Sequence, residues 1–226
     1  MAEQIDNDID SIDDDSIDSG KKQKRFVSPR GPFEINANPT VNPPYPREKI
    51  PVDSVADGFA HEPLAEKYGA DETRQKIGEM IKAGTAGATT TPLLMQEGPN
   101  GMSLVHVWFG ANFPLFRHSH PQYGDCLYYV IAGEISMGSR KLGSGSTFFV
   151  PNGQPYKYTA GPAGVELLEF RAGGGEEGAP GMKLDETSLD SMQKIIDGCY
   201  ENDSLWKAPE RMGDTALRQA ELDGRE

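Results

Sequence analysis

Between Met102 and Arg171 the chain divides into short apolar runs, SLVHVWFG, LFRHSH, CLYYVIAGEISMG, STFFVPNG, YKYTA and VELLEFR, separated by Gly, Pro and Asn at near-regular intervals. Runs of this length, rich in β-branched and aromatic residues and closed by turn formers, read as strands. A series of them at this spacing points to an all-β sandwich or barrel. In CLYYVIA the alternation puts Cys126, Tyr128 and Val130 on one face and Leu127, Tyr129 and Ile131 on the other. Both faces are apolar, so the strand is expected to be covered on both sides. An arm of the same chain or a second subunit would cover its outer face.

The flanks read differently. Residues 1–25 combine a run of Asp, Ser, Ile and Asn with the basic cluster Lys21, Lys22, Lys24 and Arg25, and cannot bury enough apolar surface to offset the entropy of ordering. A disordered acidic tail is expected there. Residues 26–100 form a second unit: prolines at 29, 32, 39, 43, 44, 46 and 51 exclude a helix up to Val55 and favour an extended arm over the β core. Two short helices are then expected over His61–Ala83, broken at Gly69 and restarting with Asp71 as N-cap, with His61 in a structural role. GTAGATTTP reads as a loop before strand material begins near Leu93. The core occupies 101–172, and 173–226 carries a loop, a helix over Leu189–Tyr200 with Met192, Ile195, Ile196 and Cys199 on one stripe, and a polar, frayed end.

Composition narrows the partners. Acidic side chains number 35 against 22 basic ones in 226 residues, for a formal net charge of −13, which repels nucleic-acid backbones and anionic membrane surfaces alike. Two cysteines, Cys126 and Cys199, make neither a disulfide framework nor a CxxC pair. With no basic start, no apolar leader and no run of about 20 apolar residues, a cytoplasmic protein is expected.

The chemistry centres on His118 and His120. Residues two apart in a strand share a face, so both imidazoles can reach one point inside a barrel. Imidazole suits several divalent metals. A pair of surface-turn histidines, flanked by Arg117, Ser119 and Pro121, has the same spacing. His106, alternating with Leu104 and Trp108, is either an acid or base facing the interior or a hydrogen-bonded core histidine. Cys126 is either a packing residue or, as thiolate, a ligand or nucleophile.

The segment 110–170 resembles the cupin superfamily. GANFPLFRHSHPQYGDCLYYVIAG is similar to the first cupin motif, a glycine, HxH, a glutamate, and a glycine six residues on. GSTFFVPNGQPYKYTA, from Gly145, is similar to the second, with Gly145, Pro151 and Gly153 in register. The likeness covers about a third of the chain and implies a cupin β-sandwich barrel, jelly-roll-like, with the arm and a few helices outside it. A homodimer is also implied, because arm wrapping is common in that family. Three positions depart from the motif pattern: Cys126 stands at the glutamate position, Tyr156 at the second-motif histidine and Ala160 at that motif's final Asn, so two of four metal ligands survive.

Three arrangements then remain open. His118 and His120 could bind an ion with Asp125 or Gln122 from the longer loop. Tyr156 could act as ligand or base, as a tyrosine does beside the metal in some cupin lyases that cleave small sulfonium acids. Or no metal binds, and the histidines, with Tyr156, Cys126, Tyr128, Trp108 and Phe149, line a pocket. The resemblance implies an enzyme for a small organic molecule, of lyase or isomerase type ahead of dioxygenase, with Fe, Mn, Zn or Ni as the ion and Tyr156 or His106 moving a proton. A ligand-binding protein without catalysis and a metal-independent acid–base catalyst are the alternatives.

Overall fold

The computed structural model describes residues 26–27, 34–37, 39–96, 101–173 and 181–224. The acidic segment 1–25, much of the arm around 28–33, and the loop 174–180 lie outside the described residues. Among the described residues five α-helices and ten strands follow in order: β1 Phe26–Val27, β2 Glu34–Ile35, α1 Val52–Val55, α2 Glu62–Tyr68, α3 Ala70–Gly84, β3 Ala88–Met95, β4 Ser103–Phe109, β5 His118–Ser119, β6 Cys126–Met137, β7 Arg140–Gly143, β8 Thr147–Val150, β9 Thr159–Arg171, β10 Lys183–Leu184, α4 Leu189–Asn202 and α5 Thr215–Leu222.

All strand pairs are antiparallel. The main sheet runs β3-β4-β9-β6-β7, with β8 also on β6, and a small sheet pairs β10 with β5. Backbone bonds from Leu115 N to Tyr158 O and from Ala160 N to Phe113 O, with mutual bonds between His118 and Tyr156, lay the segment 113–118 along 156–160. The small sheet therefore continues through this stretch into the start of β9, and the two sheets enclose one core of Val107, Phe109, Tyr128, Val130, Ile135, Tyr158, Val165 and Leu167. This is the all-β sandwich expected from the strand pattern.

What lets one pair of strands serve both sheets is a bend. β6 pairs with β9 along its whole length, but the register shifts between Val130 and Ala132 and again between Gly133 and Ile135. At the bend Gly133 has φ 73° and its neighbour across the ladder, Gly164, has φ 87°. A Cβ on Gly133 would collide with the Gly164 carbonyl oxygen, and one on Gly164 would come 2.6 Å from the Phe109 oxygen. Both positions need left-handed backbone and bare space.

Helices close the open side. α3, which the sequence suggests as a short second helix, runs for 15 residues with Gly69 as N-cap rather than Asp71; Gly69, at φ 92°, makes the break from α2. α4 starts at the Ser188 cap, whose side chain accepts from Ser191 N, and buries Met192, Ile196 and Cys199 against the core. Three expectations are corrected. Residues 88–92 form a strand, because Thr89 and Thr91 are β-branched and buried beside β4. The arm contains a helical turn at α1, and the end of the chain forms α5.

The sheet's outer face is covered over only part of its extent. Glu166 accepts from Gly213 N at 2.7 Å and Thr215 N at 2.8 Å, clamping the C-terminal segment onto that face. Above the clamp, Leu127 and Tyr129 remain 43% and 40% exposed, so among the described residues neither the arm nor the C-terminus supplies the cover that their apolarity suggests. Gly133→Ala is expected to destabilise the protein by about 3 kcal/mol, whereas Gly138→Ala, at φ 60° with open space around its Cβ position, should cost only about 1 kcal/mol. Urea-unfolding midpoints of the two variants check the contrast.

Candidate functional site

The bend delivers four stretches of chain to one end of the sandwich: β5 with the residue after it, the start of β6, the turn after β8, and the end of β9. His118 pairs with Tyr156 across an isolated bridge, so the two motif segments meet there directly. His118 and Tyr156 are joined by a 3.1 Å contact between Nε2 and the phenol oxygen, and Tyr128 and Tyr156 by a 2.5 Å contact between their hydroxyls. His120 Nε2 lies 3.5 Å from the Tyr156 oxygen.

Hydrogen-bond bookkeeping fixes where the protons sit. His118 Nδ1 is 2.9 Å from the Phe116 carbonyl and His120 Nδ1 is 3.1 Å from the Gly181 carbonyl. A carbonyl only accepts, so each Nδ1 carries its ring's hydrogen and each Nε2 is a bare lone pair. Burial, with Arg171 nearby, pushes His118 down to about 4 and His120 down to about 3, so both rings are neutral. Tyr156 therefore donates to His118 Nε2, and the short contact with Tyr128 must have Tyr128 as donor. Arg171 Nη2 donates to His120 Nε2 at 3.2 Å. Burial, reinforced by Glu169, raises the pKa values of Tyr128 and Tyr156 and pushes the Cys126 thiol up to about 11.

Not every residue singled out from the sequence joins this cluster. Cys126 and Tyr128 line the small cavity with His120, Tyr156 and Arg171. His106 alternates to the outer face, where Nε2 sits 2.8 Å from the buried carboxylate of Glu166, under the C-terminal clamp. Trp108 shares that outer phase, opposite Glu166 in the β4–β9 register. Phe149 is 58% exposed; its neighbour Phe148 points inward and stacks on Tyr128 at 4.4 Å. All three follow from the period of two, in which one residue of register exchanges the faces. Asp125 accepts from Asn152 N at 3.0 Å and ties the loop before β6 to the turn after β8, and Gln122 is exposed beside Gly181.

Two residues of the cluster were not anticipated. Glu169 and Arg171 are both nearly buried and form an ion pair of 2.7 Å, Nη2 to Oε2. Their signal was present in VELLEFR, where they continue the inward phase of Val165 and Leu167 as charges at core positions.

Could this set hold a metal? Each imidazole has its Nδ1 pinned by a carbonyl and its Nε2 free of hydrogen, the arrangement a ligating histidine requires. Their separations from the Tyr156 oxygen are about those between ligands that share one ion with bonds of about 2.1 Å. Among the described residues no group of three or more His, Cys, Asp and Glu side chains could hold an ion, so an ion here would rest on the two imidazoles with the Tyr156 phenol beside it. The set offers two histidines beside a phenol, whose Nε2 atoms accept from Tyr156 and Arg171 in this structure and would exchange those hydrogens for an ion; Asp125 and Gln122 add no contact to it.

No protein-family model matches the chain, and no curated protein does either. Solved structures similar to it include KdgF from a Halomonas species, at 21% identity and TM-score 0.32, covering 38% of this chain and 81% of that one. A Klebsiella pneumoniae protein with a double-stranded β-helix domain has 21% identity and TM-score 0.36, covering 45% and 86%. The DMSP lyase DddQ from Ruegeria pomeroyi has 24% identity and TM-score 0.35, covering 44% and 52%. At these low scores the fold rests on the chain's own strand order and register. No described helix is long and apolar enough to cross a membrane.

The neutral imidazoles carry a pH consequence. Below about pH 6.5 the unfolded chain binds protons that the folded histidines refuse. The stability they contribute is thus complete above that value and declines as pH falls toward the folded values of about 4 and about 3. In metal-free protein the urea midpoint is expected to drop between about pH 7 and about pH 5, and to drop less in His120→Gln.

Proposed function

We propose that this cupin-type chain is an enzyme acting on a small organic molecule, of lyase or isomerase type, with His118 and His120 holding a divalent ion and Tyr156 moving a proton beside it. The observation that carries the reading is the convergence of two hydrogen-free Nε2 atoms on one buried phenol, at 3.1 and 3.5 Å. A bound ion would polarise a substrate oxygen and lower the pKa of an adjacent phenol.

The chain's own groups do the remainder. Tyr128, donating to the Tyr156 oxygen, steadies that oxygen once its proton has been passed to the substrate, and can return a proton afterwards. The stacked ring of Phe148 holds Tyr128 in place. Phe116 and Gly181 fix the imidazole orientations through their carbonyls. The cavity bordered by Gln154, Asn152 and Arg171 measures about 10 Å³, room for about one water, so a substrate reaches Tyr156 only as the groups around it move apart.

Elemental analysis of protein purified without a metal-affinity tag tests the reading. About one metal equivalent per chain is expected, lost in His118→Ala/His120→Ala and retained, though weakened by about tenfold or more, in Tyr156→Phe. A metal-free wild type that resists reconstitution would contradict it and leave a ligand-binding pocket or an acid–base site without an ion.

A further inference from the structure

We infer that the back of the main sheet, the face made by Phe149, Leu127 and Phe170 with Tyr129, is where a second copy of this chain docks. The face lies opposite the His118–His120–Tyr156 cluster, and the inference does not depend on the catalytic reading of that cluster.

The first half of β6 runs between β8 and β9, with Leu127 paired to Phe149 on one side and to Phe170 on the other. Phe170 pairs in turn with Leu104, and Leu104 with Leu94. Residues opposite one another across a ladder share a face, so one apolar row crosses five strands. Tyr129 stands two residues along from Leu127, beside Leu168. At the β3 end this face is covered: Asn42 N donates to the Thr91 hydroxyl and Val41 N to the Glu210 carbonyl, so the arm and the C-terminal segment lie over it together. At the β8 end the cover stops. Phe149 is 58% exposed, Leu127 43%, Tyr129 40% and Phe170 39%.

Size points to a protein partner. With about 150–250 Å² for each aromatic side chain, these four residues leave roughly 300 to 400 Å² of contiguous apolar surface in water, a patch of the size that is often functional on a monomer. That is close to half of the roughly 800 Å² each partner brings to a standard interface, whose centre is apolar and whose rim is polar.

Charge and symmetry point to a second copy. The chain carries a formal net charge of −13, so two copies repel wherever their acidic surfaces meet. The row and Tyr129 contain no Lys, Arg, Asp or Glu, and two copies can meet there without that cost. Across the strands the exposed part of the row reads Phe149, Leu127, Phe170, an aromatic on either side of a leucine, and is alike from both ends. A copy turned about a two-fold axis beside Leu127 sets aromatic against aromatic, the self-complementary surface an isologous dimer requires. The chain's own first 25 residues suit the face less well. Ile5, Ile9, Ile12 and Ile17 are each followed directly by an aspartate, whose carboxylate would lose water against the rings.

The face also backs the site. Leu127 sits between Cys126 and Tyr128, Phe170 between Glu169 and Arg171, and Phe149 beside Phe148, the ring stacked on Tyr128. A docked copy keeps water from the back of the strands that hold the cluster.

Sedimentation equilibrium of the full chain between about 1 and about 100 µM tests the inference. A dimer forming within this range is expected, tightened when salt is raised from about 50 to about 500 mM because the two chains carry like charge. Phe149→Asp and Tyr129→Asp should each weaken it by about tenfold or more. Tyr200→Ser, which removes an exposed ring on α4, should leave it unchanged. A wild type that stays monomeric throughout the range overturns the proposal without any variant having to fold. A dimer that salt weakens, or that Phe149→Asp leaves intact, is held through another face and overturns it too.

Discussion

The structure depends on a single steric constraint, the contact of Gly133 with Gly164 across the β6–β9 ladder. Two strands that stayed straight could build one flat sheet. With left-handed backbone at both glycines and no side chain between them, the same two strands turn together and pass from one sheet into the other. Everything at the site follows from that turn. The first half of β6 brings Cys126 and Tyr128, the second half of β9 brings Glu169 and Arg171, and the segment before β9 lies back along residues 113–118 so that Tyr156 meets His118.

The polar cluster is buried, and a buried polar group must be satisfied or it costs stability. This one is satisfied in a definite direction. Backbone carbonyls take the Nδ1 hydrogens, which leaves each Nε2 to accept. Tyr156 and Arg171 supply the hydrogens, and Tyr128 supplies the next one in line. On the outer face of the same sheet Glu166 collects His106 Nε2 and two backbone amides of the C-terminal segment, while His106 Nδ1 is buried with no hydrogen-bond partner among the described residues. The Arg171–Glu169 pair reaches the cavity through Arg171 and the Glu166 carboxylate fastens the fold, although both carboxylates belong to β9.

Much of this was legible in the residues. The strands, the sandwich and the helix over 189–200 follow from apolar alternation, and the nearness of Tyr156 to the histidines from the motif resemblance, in which Gly133, Gly145 and Gly153 fall in register and all three take positive φ. What escaped was phase and continuity. YKYTA and VELLEFR, read as two strands, contribute to one long β9 through Gly164. Residues 88–92 looked like a loop because Thr and Gly dominate them, yet pairing with β4 makes β-branched threonine a strand former. Trp108 and Phe149, offered as pocket residues, lie on the other face, and of the two readings of His106 the hydrogen-bonded core histidine is the one that holds; the alternation beginning at Val107 and Val165 puts Glu169 and Arg171 inside instead. A charge in the inward phase of an apolar strand is the sequence signal that would have found the pair.

The central claim is that His118 and His120 are both neutral, both protonated on Nδ1, and both keep Nε2 as the accepting nitrogen. Long-range nitrogen–proton NMR of the imidazoles in metal-free protein tests it most directly, because the two ring nitrogens have separate shifts that report protonation and tautomer. The account predicts the Nδ1–H tautomer for both rings, unchanged on lowering the solution to about pH 5.5, a unit below the ordinary histidine value. An Nε2–H tautomer for either ring, or an imidazolium already formed at about pH 6, would contradict it.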